Sequence, residues 1–305
     1  KFNVRYTCIY IIYLILYNSL GYSYIKNYKD RGVIENMIII GEKINGTIPS
    51  VEKAIKEKNE QFIADLAVRQ VEAGADYIDV CAGTTPEIEV ETLKWLMDIV
   101  QDAVDKPLCI DSPNPRTIEA VFKYAKQPGI INSVSEESED KCDIIYPLIQ
   151  GTDWQVIALT CDSRGIPSDV QTRIDITKIM VEKAAKYGIT PDRIHIDPLV
   201  IAVSTDNQSL LKFVEATKKI KEMYPTIHIT SGLSNISFGM PFRRIINQSF
   251  LTLAMYAGMD SAIMDPTNRE MLATLLATQV LMGQDRHCRK FITAYRKGNI
   301  GPKKE

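Results

Sequence analysis

A (β/α)8 TIM barrel is the fold that the sequence predicts, and three observations predict it. Short, nearly all-apolar runs recur along the chain. Segments with helical spacing lie between them. The runs end in polar residues that core packing does not require. Runs apolar throughout suit parallel strands buried on both faces, and strands alternating with helices suit an α/β barrel.

The elements follow in order. "MIIIG" (37–41) reads as the first strand and "YIDVCAG" (77–83) as the second, with helical spacing over 61–73 between them. A helix over 89–104 leads to "PLCIDS" (107–112), then "GIINS" (129–133) and "WQVIALT" (154–160). "RIHIDP" (193–198) is the sixth run; a helix over 210–223 separates it from "IHITSGLSN" (227–235), and "SAIMDP" (261–266) is the eighth. A doubly wound open sheet is the rival architecture, but no strand is followed by G-x-G-x-x-G. No linker follows residue 37, so residues 37–305 read as one barrel domain with a C-terminal helix.

Composition narrows the function. The 305 residues are 45% apolar and 24% charged, with a net charge of −2. Basic and acidic residues are interspersed, which gives no nucleic-acid footprint. The six cysteines form no C-x-x-C and no pairing framework, as in a reduced, cytoplasmic protein. Residues 8–24, "CIYIIYLILYNSLGYSY", are apolar, but the uninterrupted core from Ile9 to Leu16 is shorter than the ~20 residues of a membrane helix. Residues 1–36 therefore read as an extension outside the functional fold, with a membrane anchor as the alternative.

The strand ends carry the chemistry. They hold Glu42 and Asn45, Asp79, Asp111 and Ser112, Asn132 and Ser133, Asp162, Asp197, Asn235 and Asp265. One Asp or Asn at a strand end is ordinarily a turn former or a helix cap. A ring of them around a barrel mouth binds a ligand rich in donors and acceptors. Without a His or Cys cluster, the ring is a poor transition-metal site. His195 and His228 alternate with isoleucines and read as core residues.

"GEKING", "IDSPNP", "IINSVS", "HIDPL" and "GLSNISFGMPFRRIINQSF" together resemble the pterin-binding methyltransferases that act with a corrinoid protein. The resemblance is to methyltetrahydrofolate:corrinoid/iron-sulfur protein methyltransferases and methylcorrinoid:tetrahydrofolate methyltransferases, and it runs from residue 37 to about 295. It implies a barrel of the dihydropteroate synthase-like type. It also implies methyl transfer between N5 of 5-methyltetrahydrofolate and the cobalt of a corrinoid (cobalamin), in either direction. By this resemblance Asp111, Asn132 and Asp197 grip the pterin, and Asn235 is the catalytic residue that meets N5. Gly232 and Ser234 line the same wall, Arg243 lies near the ligand, and Ile263 is a floor position. Glu42 and Asn45 of "GEKING" join the pterin-binding set. One departure stands out: "DVCAG" puts Cys81 where relatives commonly carry Asn, which puts one polar pterin contact in doubt.

The chain has no D-x-H-x-x-G pattern, so the corrinoid is expected on a partner protein. The family resemblance implies a homodimer. Two alternatives stay open at this level. A dihydropteroate synthase-like enzyme would carry an Asn-x-Thr-Pro-Asp-Ser-Phe-type first loop, which "EKINGTIPS" lacks. A non-catalytic folate-binding subunit of a corrinoid complex would keep the pocket without turnover.

Overall fold

The computed structural model describes residues 37–138 and 140–302; the extension at 1–36 lies outside the described residues. Eight strands form one parallel sheet in the order β7-β6-β5-β4-β3-β2-β1-β8. They are β1 (Ile38–Asn45), β2 (Tyr77–Cys81), β3 (Leu108–Asp111), β4 (Ile130–Glu136), β5 (Gln155–Asp162), β6 (Ile194–Asp197), β7 (His228–Ile229) and β8 (Ser261–Met264). The sheet closes on itself. Asp260 donates its N–H to Ile229 O at 3.2 Å, Ile263 donates to Ser231 O at 3.1 Å, and Gly232 bridges Ile263 in parallel register. The barrel that the apolar runs predict is thus the one that forms.

The helices alternate with the strands: α1 (Pro49–Lys56), α2 (Glu60–Glu72), α3 (Pro86–Ala103), α4 (Pro115–Val121), α5 (Asp140–Ile149), α6 (Val170–Ala185), α7 (Ser209–Met223), α8 (Arg243–Ala257), α9 (Arg269–Leu281) and α10 (Arg289–Arg296). Local chemistry fixes their starts. Asn59, Asn114, Asp169 and Asn268 each accept a first-turn N–H through the side chain. Each such cap is typically worth about 1 kcal/mol. Pro49, Pro86 and Pro115 occupy first-turn positions, where a missing N–H costs nothing.

Two cores result. The larger lies between strands and helices and contains Ile44, Ile78, Leu93, Leu96, Ile131, Val156, Ile196 and Leu251, all buried. Each such side chain contributes about 1.5–3 kcal/mol by leaving water. The smaller fills the barrel with Ile40, Cys109, Ile130 and Ile157, flanked by Ile38, Tyr77, Leu159 and Ile263. Side chains alternate along a strand. On β3 and β4 the positions two residues beyond this interior layer therefore also face inward, and they are Asp111 and Asn132. Below the layer a polar network closes the opposite end. His195 meets Ser261 Oγ at 2.9 Å and Gln155 Oε1 at 2.6 Å, and stacks on His228 with ring centres 4.7 Å apart. Burial and the neighbouring His228 push His195 down to about 3, so it is neutral. His195 is a core residue, as its alternation with isoleucines predicts, and His228 is half-buried beside Asp260.

Candidate active site

The first half of the ring gathers around β2, β3 and β4. Register places Cys81 beside Asp111 and Asp111 beside Asn132. Asp79, 2% exposed, receives Asn132 Nδ2 at 3.4 Å. Burial, then the charge of Asp111, holds the Asp79 carboxyl well above the ordinary carboxylate range, against the bonds from Cys109 and Asn132. Asp111 is also pushed up by burial, opposed by a hydrogen bond from the Cys81 thiol and reinforced by the nearby Glu89. Burial and both aspartates push the Cys81 thiol up, so it is a neutral donor and no nucleophile. Behind Asp111, the buried Glu89 of α3 accepts from Ser112 Oγ and Thr117 Oγ1, each at 2.7 Å, and so ties the strand end to α4.

At β1 and β8 the ring serves two purposes. Glu42 is pushed up to about 7 by burial and the neighbouring Asp265, eased by Lys43. Lys43 Nζ lies 3.5 Å from Asp265 Oδ2. Asn45 and Asp265 each accept from the N–H and hydroxyl of a threonine two residues on, Thr47 and Thr267. Their oxygens shape turns, the ordinary job of such residues. Asp162 binds Arg164 Nη2 at 2.6 Å and does the same at β5. Gly46 is required where it stands: a Cβ there would meet Ala82 O at 1.8 Å.

The other wall runs from β6 to β8. Asp197 is 5% exposed and accepts the Leu199 N–H at 2.8 Å. Burial pushes it up to about 7, against the Leu199 and Gly232 N–H groups and the more distant Arg173. Strand β7 is short because the chain turns at Gly232 into a single 3-10 turn, Leu233–Ser237. Asn235 sits on this turn, exposed, with its N–H on Gly232 O at 3.2 Å. Its amide lies over Gly232, where a Cβ would come within 3.1 Å of Asn235 Nδ2. Arg243 fastens the turn, donating to Ser234 O at 2.8 Å and to Ser237 Oγ at 3.0 Å while its guanidinium covers Phe238.

The strand-end candidates therefore lie at the C-terminal end of the barrel or on the turn above it; Arg243 opens α8, and Ile263 packs against the apolar layer beneath. Asn45 Oδ1 and two of the Arg243 guanidinium nitrogens bond to local structure. Asp79 and Glu89 are additions. Asp79 is visible in the sequence as a strand end without an assigned role, whereas Glu89 looks like an ordinary helix acid. Among the described residues, no group of three or more His, Cys, Asp and Glu side chains is placed to hold a metal ion, and no helix is long and apolar enough to cross a membrane. The ring is a set of acceptors with its charge partly suppressed, suited to a neutral ligand edge that carries several N–H donors.

Comparison with known proteins agrees with that chemistry. The pterin binding enzyme family matches residues 41–265. The chain is 59% identical over 268 residues to a methylcorrinoid:tetrahydrofolate methyltransferase of Eubacterium limosum, covering 87% of this chain and 98% of that protein. It is 27% identical over 240 residues to methionine synthase of Mycobacterium tuberculosis, covering 75% of this chain and 20% of that longer protein. In fold it is similar to dihydropteroate synthase from Xanthomonas albilineans, with a TM-score of 0.61 at 17% identity over 81% of this chain and 93% of that one. With the matched segment spanning β1 to β8, the chain belongs to the pterin-binding enzymes.

Proposed function

We propose that this protein moves a methyl group between N5 of 5-methyltetrahydrofolate and the cobalt of a corrinoid held by a partner protein. The observation that carries the reading is the exposed Asn235 amide folded over Gly232 at the barrel mouth, where the Gly232 N–H meets the buried acceptor Asp197. The 59% identity to a methylcorrinoid:tetrahydrofolate methyltransferase supports the same chemistry.

In this reading, Asp111, Asn132 and Asp197 bind the aminopyrimidinone edge, and Asp79 keeps Asn132 in place. An acceptor-rich wall fits that edge, since its 2-amino group and N3 are donors. Ile263 is an apolar floor for the ring. The reduced corrinoid, a substrate delivered by the partner, supplies a strong nucleophile for in-line displacement at the methyl carbon. The N5–methyl bond breaks and N5 keeps its electron pair, so the reaction needs N5 to gain positive character first. Asn235 bonds N5 as its proton arrives, and a bond that strengthens towards the transition state raises the rate. Gly232 leaves room for the amide. The small residues around Asn235 leave the mouth open above N5. Arg243 acts by holding the Ser234 and Ser237 positions of the turn.

The same reading takes residues 37–305 as the working domain, and a homodimer in the cytoplasm as its setting, on the family resemblance and the cysteine usage. The test is direct: purified protein, 5-methyltetrahydrofolate and cob(I)alamin on its carrier, followed by visible absorbance. Folate-dependent formation of methylcobalamin supports the proposal. A folded protein that binds folate but transfers nothing would instead be a folate-binding subunit.

A further inference from the structure

Arg173 is the largest fully buried side chain among the described residues, and nothing in the chemistry above uses it. It lies in the first turn of α6, behind the β6 strand end. All four of its hydrogen bonds end on main-chain carbonyls: Nη1 on Pro198 O at 2.9 Å and Leu199 O at 2.8 Å, Nη2 on Pro167 O at 3.0 Å, and Nε on Pro167 O at 3.3 Å. Two of those carbonyls immediately follow Asp197. Between them the chain does something unfavourable. Leu199 adopts φ +59°, the left-handed region that a branched side chain rarely enters. In the same turn the Leu199 N–H meets Asp197 Oδ1, 2.8 Å away.

A buried guanidinium bound only to neutral carbonyls is an expensive way to close a turn, since its desolvation is incompletely repaid. What it secures is specific. It fixes the two carbonyls flanking a strained residue, and it ties them to Pro167 in the loop after β5. We propose that Arg173 is a positioning residue of the pterin site: it holds the Pro198–Leu199 turn so that the Leu199 N–H keeps the Asp197 carboxylate aimed at the ligand. The inference rests on the reading of Asp197 as a pterin acceptor. The charged groups near the guanidinium are Asp197 on β6, Asp206 in the loop before α7, itself bound by Lys212 at 2.7 Å, and Asp169 at the cap of α6.

The test is a double-mutant cycle on folate binding. Arg173→Met, Arg173→Lys, Asp197→Asn and the double variant Arg173→Met/Asp197→Asn are titrated with 5-methyltetrahydrofolate below the melting transition of each. Arg173→Met should weaken binding about tenfold to a hundredfold, the value of one hydrogen bond to a charged group. Methyl transfer at saturating folate should stay within a few-fold of wild type. The double variant should bind no worse than Asp197→Asn alone, because both changes act on one contact. The acid limb of the folate affinity should also move to higher pH in Arg173→Met, as the charge opposing Asp197 protonation is gone. If Arg173→Met does not fold, Arg173→Lys takes its place in the cycle, and adding Leu199→Gly, which removes the strain, should restore affinity. Additive losses, unchanged affinity in a folded Arg173 variant, or no rescue by Leu199→Gly would overturn the proposal by itself. Wild-type affinity in Asp197→Asn would overturn the pterin reading of Asp197, and the proposal with it.

Discussion

Replacing Asp197 by asparagine should make the protein more stable and worse at binding folate. The side chain is buried, and burial raises its carboxyl from 3.8 to about 7. Ionised at pH 8, such a group destabilises the fold by about 4 kcal/mol relative to the unfolded chain. Asparagine keeps an oxygen for the Leu199 N–H, now 2.8 Å from Asp197 Oδ1, and removes the charge. The native state binds the extra proton between pH 3.8 and about 7, so the cost is absent below 3.8 and accumulates as the pH rises to 7. The gain from Asp197→Asn should therefore be largest at pH 8, smaller at pH 5 and nil near pH 3.5. Urea unfolding of both proteins across that range measures it. A chain of this size gains roughly 2–4 °C in Tm per kcal/mol. Over the same series, calorimetry with 5-methyltetrahydrofolate should find binding weakened by about 1.5–3 kcal/mol at pH 8. A variant no more stable than wild type at pH 8, or a gain independent of pH, would refute the reasoning about burial. Unchanged folate affinity would refute the role of the carboxylate.

Other outcomes follow from the same geometry. Asp111→Ala should weaken folate binding by about 2–4 kcal/mol, since it leaves a desolvated ligand donor unpaired; titration calorimetry measures it, and near-wild-type affinity would put the pterin elsewhere. Wild-type folate affinity should fall about tenfold per pH unit below about 7, where Asp197 takes up the proton that competes with the ligand; a flat profile between pH 5 and 8 would contradict this. A chain of residues 37–305 alone should be soluble and as active as the full chain, because the first strand begins at Ile38, just after Met37; association of the full chain with membranes, released only by detergent, would contradict it.

Much of the fold is legible in the sequence because parallel strands buried on both faces must be apolar throughout. Where the reading fell short, a tertiary cause is visible. Strand β1 runs on to Asn45 because, past an irregularity between Gly41 and Ile44, Ile44 and Asn45 pair again with Val80 and Cys81 of β2. Strand β7 shrinks to two residues because the chain leaves the sheet at Gly232 for the 3-10 turn. The site divides in the same way. Asp111, Asn132 and Asp197 stand out as polar residues capping apolar runs. Asn45 and Asp265 carry the same signal, yet their oxygens form turns with Thr47 and Thr267. Asp197 makes the same contact with the Leu199 N–H, yet it is buried, and only the folded chain shows that difference. Glu89 and Arg173 act from helices, where a charged residue gives no sign of being buried.

Asn235 carries the central claim, and single-turnover kinetics of Asn235→Ala tests it most directly. Wild type and variant are mixed with saturating 5-methyltetrahydrofolate and cob(I)alamin, with a melting curve for each. Loss of one preorganised hydrogen-bonding group at the reacting atom should slow the transfer step by ~10²–10³. Folate affinity should fall far less, and the melting temperature should be nearly unchanged, since the exposed Asn235 side chain supports no core packing. A variant that melts normally and transfers methyl groups within a few-fold of wild type would contradict the account, as would one whose loss of rate is explained by loss of folded protein.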